Sequence, residues 1–375
     1  MARHVGPELH VSMNESTLNI ISSAACTTRI GGPWKVFRNL VKGLDRIGCH
    51  YVVNAPISGT THVLVHDTVA ALRHTRPDQR VLVGPNIFLE PSAIPGDIDL
   101  IGRVFLQPCE WAKAGWLELG FDVCPVHVWP VGIDTDAFGP ILPADERKTV
   151  VVMHKDWQPG VLHRLGDVVA AIRACGHEPV ILTYGEYEEE DYLRVLHNAL
   201  MIVWYGRVES QGIGLLEALS CDVPMVVVDM LRPPSGWDND GKNANLVTST
   251  APYFDQRCGI KVTSLDEIAE AVQRILAERD RWAPRQFILQ NLTLDRQAAA
   301  LLAIWAQYWD EHDWPVLGLS APSGRDLDQR VWPKWEPGNA IGQSVRRRLR
   351  PFRAMAHRFR AAHRGRSGGD RKGAT

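Results

Sequence analysis

Short apolar runs alternate with helical stretches along most of this chain, and the alternation stops once and restarts. No other feature of the sequence constrains the fold as much. In the first series the strand TLNIIS is followed by the loop SAACTTRIGG. A stretch from Pro33 comes next, in which Phe37, Leu40, Val41, Leu44 and Ile47 recur at helical spacing while Lys35, Arg38, Lys42 and Arg46 point elsewhere. Pro33 suits the start of a helix because the N–H it lacks would have no partner there. Gly48 ends that helix and HYVVN is a second strand, which makes a β-α-β unit. THVLVH, RVLVG, LIGRVFL and VHVWP are further buried-strand candidates, the alternation expected of a parallel sheet covered on both faces.

A passage rich in Pro and Gly at 129–148 interrupts the series, which resumes as TVVVM, a helix near 161–174, PVILT, a helix near 189–198, LMIVW, a helix near 213–221 and PMVVVD. The fold expected is α/β, with two Rossmann-like doubly wound parallel-sheet domains facing a cleft lined by the carboxyl ends of both sheets, where such folds bind ligands. The boundaries read as 1–138 for the first domain, 139–290 for the second, 291–315 for a C-terminal amphipathic helix packing back on them, and 316–375 for an irregular segment and a basic tail. Within the last, 313–343 is rich in Trp, Pro and Gly without clear periodicity.

Length and composition agree with this reading. A chain of 375 residues suits two domains plus an appendage, and 45% apolar with 22% charged residues argues against collagen, coiled coil and general disorder. The N-terminus lacks the apolar stretch of a secretory signal, and no uncharged apolar run of about 18 residues is present to span a bilayer, so a cytoplasmic chain is expected. Seven cysteines at odd count and without C-x-x-C spacing read as buried thiols. The net charge of −2 hides an asymmetry, because residues 346–375 carry eleven Arg and Lys against one Asp, net +10, leaving −12 for the rest.

The chemistry concentrates between Tyr205 and Asp229, YGRVESQGIGLLEALSCDVPMVVVD. Glu209 lies in the loop after a buried strand, and Glu217 lies eight residues on, in the following helix. Gly212 and Gly214 at the turn let the backbone approach a ligand closely, and the free N–H groups of a first helical turn favour a phosphate. An acid before that turn can then reach a sugar, and an acid one turn into the helix can accept from vicinal ribose hydroxyls. In these details the segment resembles the E-x7-E region of retaining GT-B glycosyltransferases of family 4. Val131-Gly132-Ile133-Asp134-Thr135, with Asp136 and Phe138, resembles the passage where those enzymes leave the first domain, and Ile30-Gly31-Gly32 resembles their glycine loop. The likeness covers about 20–310.

The resemblance implies transfer of a sugar from a nucleotide-sugar donor to a glycan or lipid-linked acceptor with retention of configuration, as in cell-surface polysaccharide or glycolipid synthesis. It implies catalytic roles for Glu209, Lys155 and His66. It implies donor contacts for Glu217, Ser210, Gln211, Gly212, Ile213, Gly214, Gly31, Gly32 and His154. The nucleotide sugar is a co-substrate, so no cofactor is expected, and no metal either, since no D-x-D context is present. The family places an Arg and a Lys five residues apart after the first strand of the second domain. MHKDWQPGVLHR offers Lys155, His154 and Arg164 instead, with Pro159 near the second position. Asp222 replaces the usual glycine after the helix. His62 is a second histidine candidate, Gly84-Pro85-Asn86 a turn able to line an acceptor pocket, and the acids of YGEYEEEDYL the start of a helix with a favourable dipole.

In the tail, Val345, Leu349, Phe352, Ala356 and Phe359 would gather as one apolar stripe between arginines, interrupted by Pro351. Residues 344–375 are therefore an expected contact with an anionic membrane surface at the inner face of the cytoplasmic membrane; a disordered basic extension is the alternative, and no specific nucleic-acid partner is expected. The residues leave two other functions open: a non-catalytic nucleotide-sugar-binding protein and a nucleotide-sugar epimerase of the same architecture. A nicotinamide dehydrogenase is disfavoured because no G-x-G-x-x-G follows the first strand.

Overall fold

The computed structural model describes residues 17–27, 31–155, 164–232 and 246–309. The expected basic tail contact at 344–375, the segment 313–343, Ile30 and the start of the helix near 161–174 lie outside the described residues.

The first domain is a six-stranded sheet made of β1 (Leu18–Ile21), β2 (Tyr51–Val53), β3 (His62–Val65), β4 (Arg80–Val83), β5 (Arg103–Gln107) and β6 (Val126–Val128), in spatial order β2-β1-β3-β4-β5-β6. Every pairing in it is parallel. Strands β1 and β3 are buried along their whole length, which is why, apart from Asn19 and His62, they read as apolar runs rather than as alternations. Helix α1 (Gly32–Arg46) covers one face with Val36, Leu40 and Leu44, and helix α2 (Glu110–Glu118) packs beside β5 and β6.

The second domain is a five-stranded parallel sheet of β7 (Thr149–His154), β8 (Val180–Thr183), β9 (Ala199–Tyr205), β10 (Met225–Val228) and β11 (Gly259–Val262), in the order β11-β10-β9-β7-β8. Its helices are α3 (Leu165–Ala174), α4 (Glu189–His197), α5 (Ile213–Ser220), α6 (Ile268–Ala277) and α7 (Pro284–Asn291). Helix α4 begins where the acidic run predicted a helix start, with Glu189, Glu190 and Asp191 in its first turn. Strand β11 and helices α6 and α7 extend the domain beyond the elements that the sequence pattern marked.

The last helix, α8 (Leu294–Trp309), returns to the first domain. Ala298, Leu301, Leu302, Ile304 and Trp305 share one core with Leu18, Ile20, Leu40, Leu44 and Leu82. The approach to α1 is close because residue 43 is glycine, where a Cβ would stand 2.5 Å from the Leu294 carbonyl oxygen. The chain thus crosses between the domains twice, at 129–148 and at 291–294. At the second crossing the Ile133 N–H donates to the Leu292 carbonyl at 2.7 Å, and Gly132 leaves room for Thr293 and Leu294. Among the described residues no helix is long and apolar enough to cross a membrane.

Candidate functional site

Strand order locates the crevices. In the first sheet the chain leaves β1 toward β2 on one side and β3 on the other; in the second it leaves β7 toward β8 and β9. Ligands of doubly wound sheets bind at the carboxyl ends of such strands. The carboxyl ends in question carry Ser22, His66, His154, Lys155 and the loop from Gly206 to Gly212.

In that loop Gly212 is the residue before α5 and adopts φ 76°, ψ 47°, a left-handed conformation that a side chain would strain. The turn lets the loop fold back so that Glu209 and Glu217 are both buried. The Glu209 carboxylate pairs with the Lys155 ammonium at the end of the neighbouring strand, and its N–H donates to the Ser249 carbonyl at 3.0 Å. Lys155 also stands over the Tyr184 ring, 4.3 Å from its centre. Glu217, only 1% exposed, receives a partner the sequence did not mark. Lys35 of α1, in the other domain, donates to both its carboxylate oxygens, at 2.6 and 2.7 Å. The same ammonium lies 3.0 Å from Glu189 of α4, which Arg38 approaches at 3.4 Å. Burial raises the Glu217 carboxyl to about 7 against the opposing pull of Lys35.

The remaining expected residues divide. The side chain of Gln211 accepts from the Val131 N–H at 3.1 Å and donates to the Val131 carbonyl at 2.8 Å, so it ties the loop to the inter-domain passage. Trp111 of α2 adds a second tie, donating to the Glu209 carbonyl at 3.0 Å. His154 stacks on Tyr205 and has a buried Nε2 without a hydrogen-bond partner among the described residues, as has the Trp204 indole nitrogen beneath Gly206. Arg164, exposed, pairs with Asp167 at the start of α3. Gly31 precedes α1 in an extended conformation, φ −169°.

His66 is buried with Nδ1 2.9 Å from Ser22 Oγ, and burial lowers its pKa. Asp67 accepts from the Ser23 N–H and hydroxyl and from the Ala24 N–H; burial pushes its carboxyl up, but the Ser23 bonds, His66 and Thr68 together hold it low. The pair thus shapes the turn after β1 that leads toward the glycine loop. His62 sits at the amino end of β3, away from the crevice, beside Arg80 at 3.2 Å. Gly84 has φ 112° and Asn86 φ 55°, a turn whose conformation accounts for its residues. Asp222 takes the left-handed conformation (φ 61°) that glycine usually fills after a helix, and its Oδ1 accepts from the Arg285 N–H at 3.1 Å. A cavity of about 480 Å³ opens beside the ends of β1 and β2, lined by Ile21, Asn54 and Pro56 among others. No group of three or more metal-ligating side chains occurs among the described residues.

Sequence reasoning missed Lys35, placing it only on the side of α1 away from the apolar stripe. No local signal marks it: a lysine in the first turn of a helix opposes the dipole by only about 0.3–1 kcal/mol, which a solvent-facing lysine tolerates.

The chain matches no protein-family model and no curated protein by sequence. Its structure is similar to sucrose-phosphate synthase from Thermosynechococcus elongatus, at 13% identity and a TM-score of 0.50, covering 79% of this chain and 99% of that one. It is likewise similar to a glycosyltransferase from Rickettsia africae, at 11% identity and a TM-score of 0.51, covering 80% and 100%. The likeness is one of fold: two Rossmann-like parallel-sheet domains in the GT-B arrangement.

Proposed function

We propose that this protein is a glycosyltransferase that moves a sugar from a nucleotide-sugar donor to a glycan or lipid-linked acceptor, with retention of configuration. The observation that carries the reading is the left-handed Gly212 turn with a buried carboxylate on either side, at the carboxyl end of β9 and against the other domain. A diphosphate at the start of α5 meets the first-turn N–H groups. Glu217 then faces the ribose, and Glu209 with the backbone of Ser210 to Gly214 faces the sugar and phosphates.

When the bond from the sugar to phosphate breaks, its electron pair leaves with the diphosphate. Cations near that oxygen are the protein's main contribution to rate, and Lys155 is the one closest to Glu209. His154, with an Nε2 unpartnered among the described residues, adds a donor at the same strand end. His66 acts by fixing the turn after β1, through which Gly31 and Gly32 approach the donor. The acceptor enters from the first domain, where the cavity beside β1 lies. No covalent nucleophile on the protein is invoked, and the retention rests on the E-x7-E resemblance. The tail from 344 to 375 would hold the enzyme at an anionic membrane surface, where a lipid-linked acceptor resides.

Glu209→Gln and Glu217→Ala should each abolish transfer in a protein that stays folded; full activity in both overturns the reading. A thermal-shift screen over nucleotide sugars identifies the donor, since a ligand at about 100 times its Kd adds roughly 2.7 kcal/mol of stability. The second reading, a non-catalytic binder of nucleotide sugars, is favoured by the pairing of Arg164 with Asp167, which removes Arg164 as a second cation beside Lys155. Calorimetry beside a turnover assay separates the two.

A further inference from the structure

The second cation is present, in the other domain. Lys35 belongs to the first turn of α1, yet its ammonium reaches across the domain boundary to occupy both oxygens of Glu217. Glu217 is the fifth residue of α5, and the Cα–Cβ bond of a helical residue tilts toward the helix start. The ammonium is thereby held close to the first turn of α5, whose N–H groups have no intrahelical partner. Vicinal ribose hydroxyls take lone pairs of the same two carboxylate oxygens, so a bound donor competes with Lys35 for Glu217. Glu189, 3.0 Å away, keeps its hold on the ammonium when Glu217 is taken, and Phe138, 5.4 Å from it, limits how far the side chain can withdraw.

We propose that Lys35 is the second phosphate-binding cation of the donor site: it rests on Glu217 in the empty enzyme and passes to the donor diphosphate when the ribose takes Glu217. This rests on the reading given under Proposed function. It makes Lys35 a residue that touches substrate. It also brings a charge from the first domain to that of Lys155 in the second, so that the two stand together only when the domains do.

The test uses inorganic pyrophosphate as probe, because it carries the phosphates without the ribose, with calorimetry on the full chain. Glu217→Gln leaves the ammonium with Glu189 as its carboxylate partner and should bind pyrophosphate about three- to tenfold more tightly than wild type. The double variant Lys35→Met with Glu217→Gln, which leaves no unpaired buried charge, should lose at least about tenfold relative to Glu217→Gln, as expected for one charge-assisted contact. Lys35→Arg in the Glu217→Gln background should recover most of the loss, which a structural role for the aliphatic stem would not require. Equal affinity in the single and double variants, or no pyrophosphate binding by Glu217→Gln, overturns the proposal. A panel of nucleoside diphosphates separates this failure from that of the functional reading. Diphosphates that bind wild type and the double variant alike remove only the role of Lys35. A wild type that binds none removes the transferase reading and this inference with it.

Discussion

The two buried glutamates are neutralised in different ways. Glu209 takes its lysine from its own domain, where Lys155 ends the neighbouring strand β7, so the pair moves as one body. Glu217 takes its lysine from the opposite domain, so its neutralisation depends on where α1 lies. A charge pair inside one domain fixes local geometry. A pair across two domains couples local charge to domain position, and removing either partner leaves a buried charge alone.

That contrast can be broken at either pair. The largest effect expected is on catalysis: Lys155→Met should lower kcat by about 10²–10³-fold, the usual loss when a stabiliser of transition-state charge is removed, without changing the radius of gyration in solution scattering. Lys35→Met should, besides weakening diphosphate binding, lower stability by roughly 2–4 kcal/mol in denaturant unfolding. That is somewhat below the range for a fully buried pair because Lys35 is 15% exposed. Adding Glu217→Gln should recover much of that loss, and a double variant as unstable as Lys35→Met alone would deny the coupling.

Acid sharpens the comparison. The Glu217 carboxyl is raised in the folded protein from 4.5 to about 7, so the native state binds this proton more tightly than the unfolded chain does. The resulting stabilisation is present in full below about pH 4.5 and is lost as pH rises through 7. Wild type minus Glu217→Gln, followed by thermal unfolding over that range, should show the decline; a flat difference would mean that Lys35 holds the carboxylate charged throughout. The smallest effect belongs to the rim. Arg38→Ala removes a partly exposed contact to Glu189 and should cost under about 1 kcal/mol in the same unfolding assay.

Much of this arrangement was legible in the sequence. The fully buried strands announced themselves as β-branched runs, and the spacing of Glu209, Gly212 and Glu217 carried the turn and both acids. What stayed hidden depends on contacts far apart in the chain. Lys35 and Glu217 are 182 residues apart, and nothing in the local pattern of α1 distinguishes a lysine that meets solvent from one that meets another domain. The same is true of Lys42 and Arg46, which pair with Asp134 and Asp136 of the inter-domain passage. The resemblance gave Gln211 a donor contact and nothing for its side chain to hold, and only the fold brings Val131 beside it. Strand β11, GIKV, is too short and too mixed to announce itself; Gly259 there has φ 134°, with the Met225 backbone where a side chain would begin.

The return of α8 to the first domain bears on how the molecule is made. Synthesis proceeds from the N-terminus, so the first sheet and α1 emerge from the ribosome long before residues 294–309. Until those residues arrive, the apolar surface around Leu40, Leu44 and Leu82 has no cover. Domains generally fold in the order of their synthesis, but here the first to emerge is the last to be completed. A nascent chain halted before Leu294 should display that surface to chaperones, and release of the final helix should withdraw it.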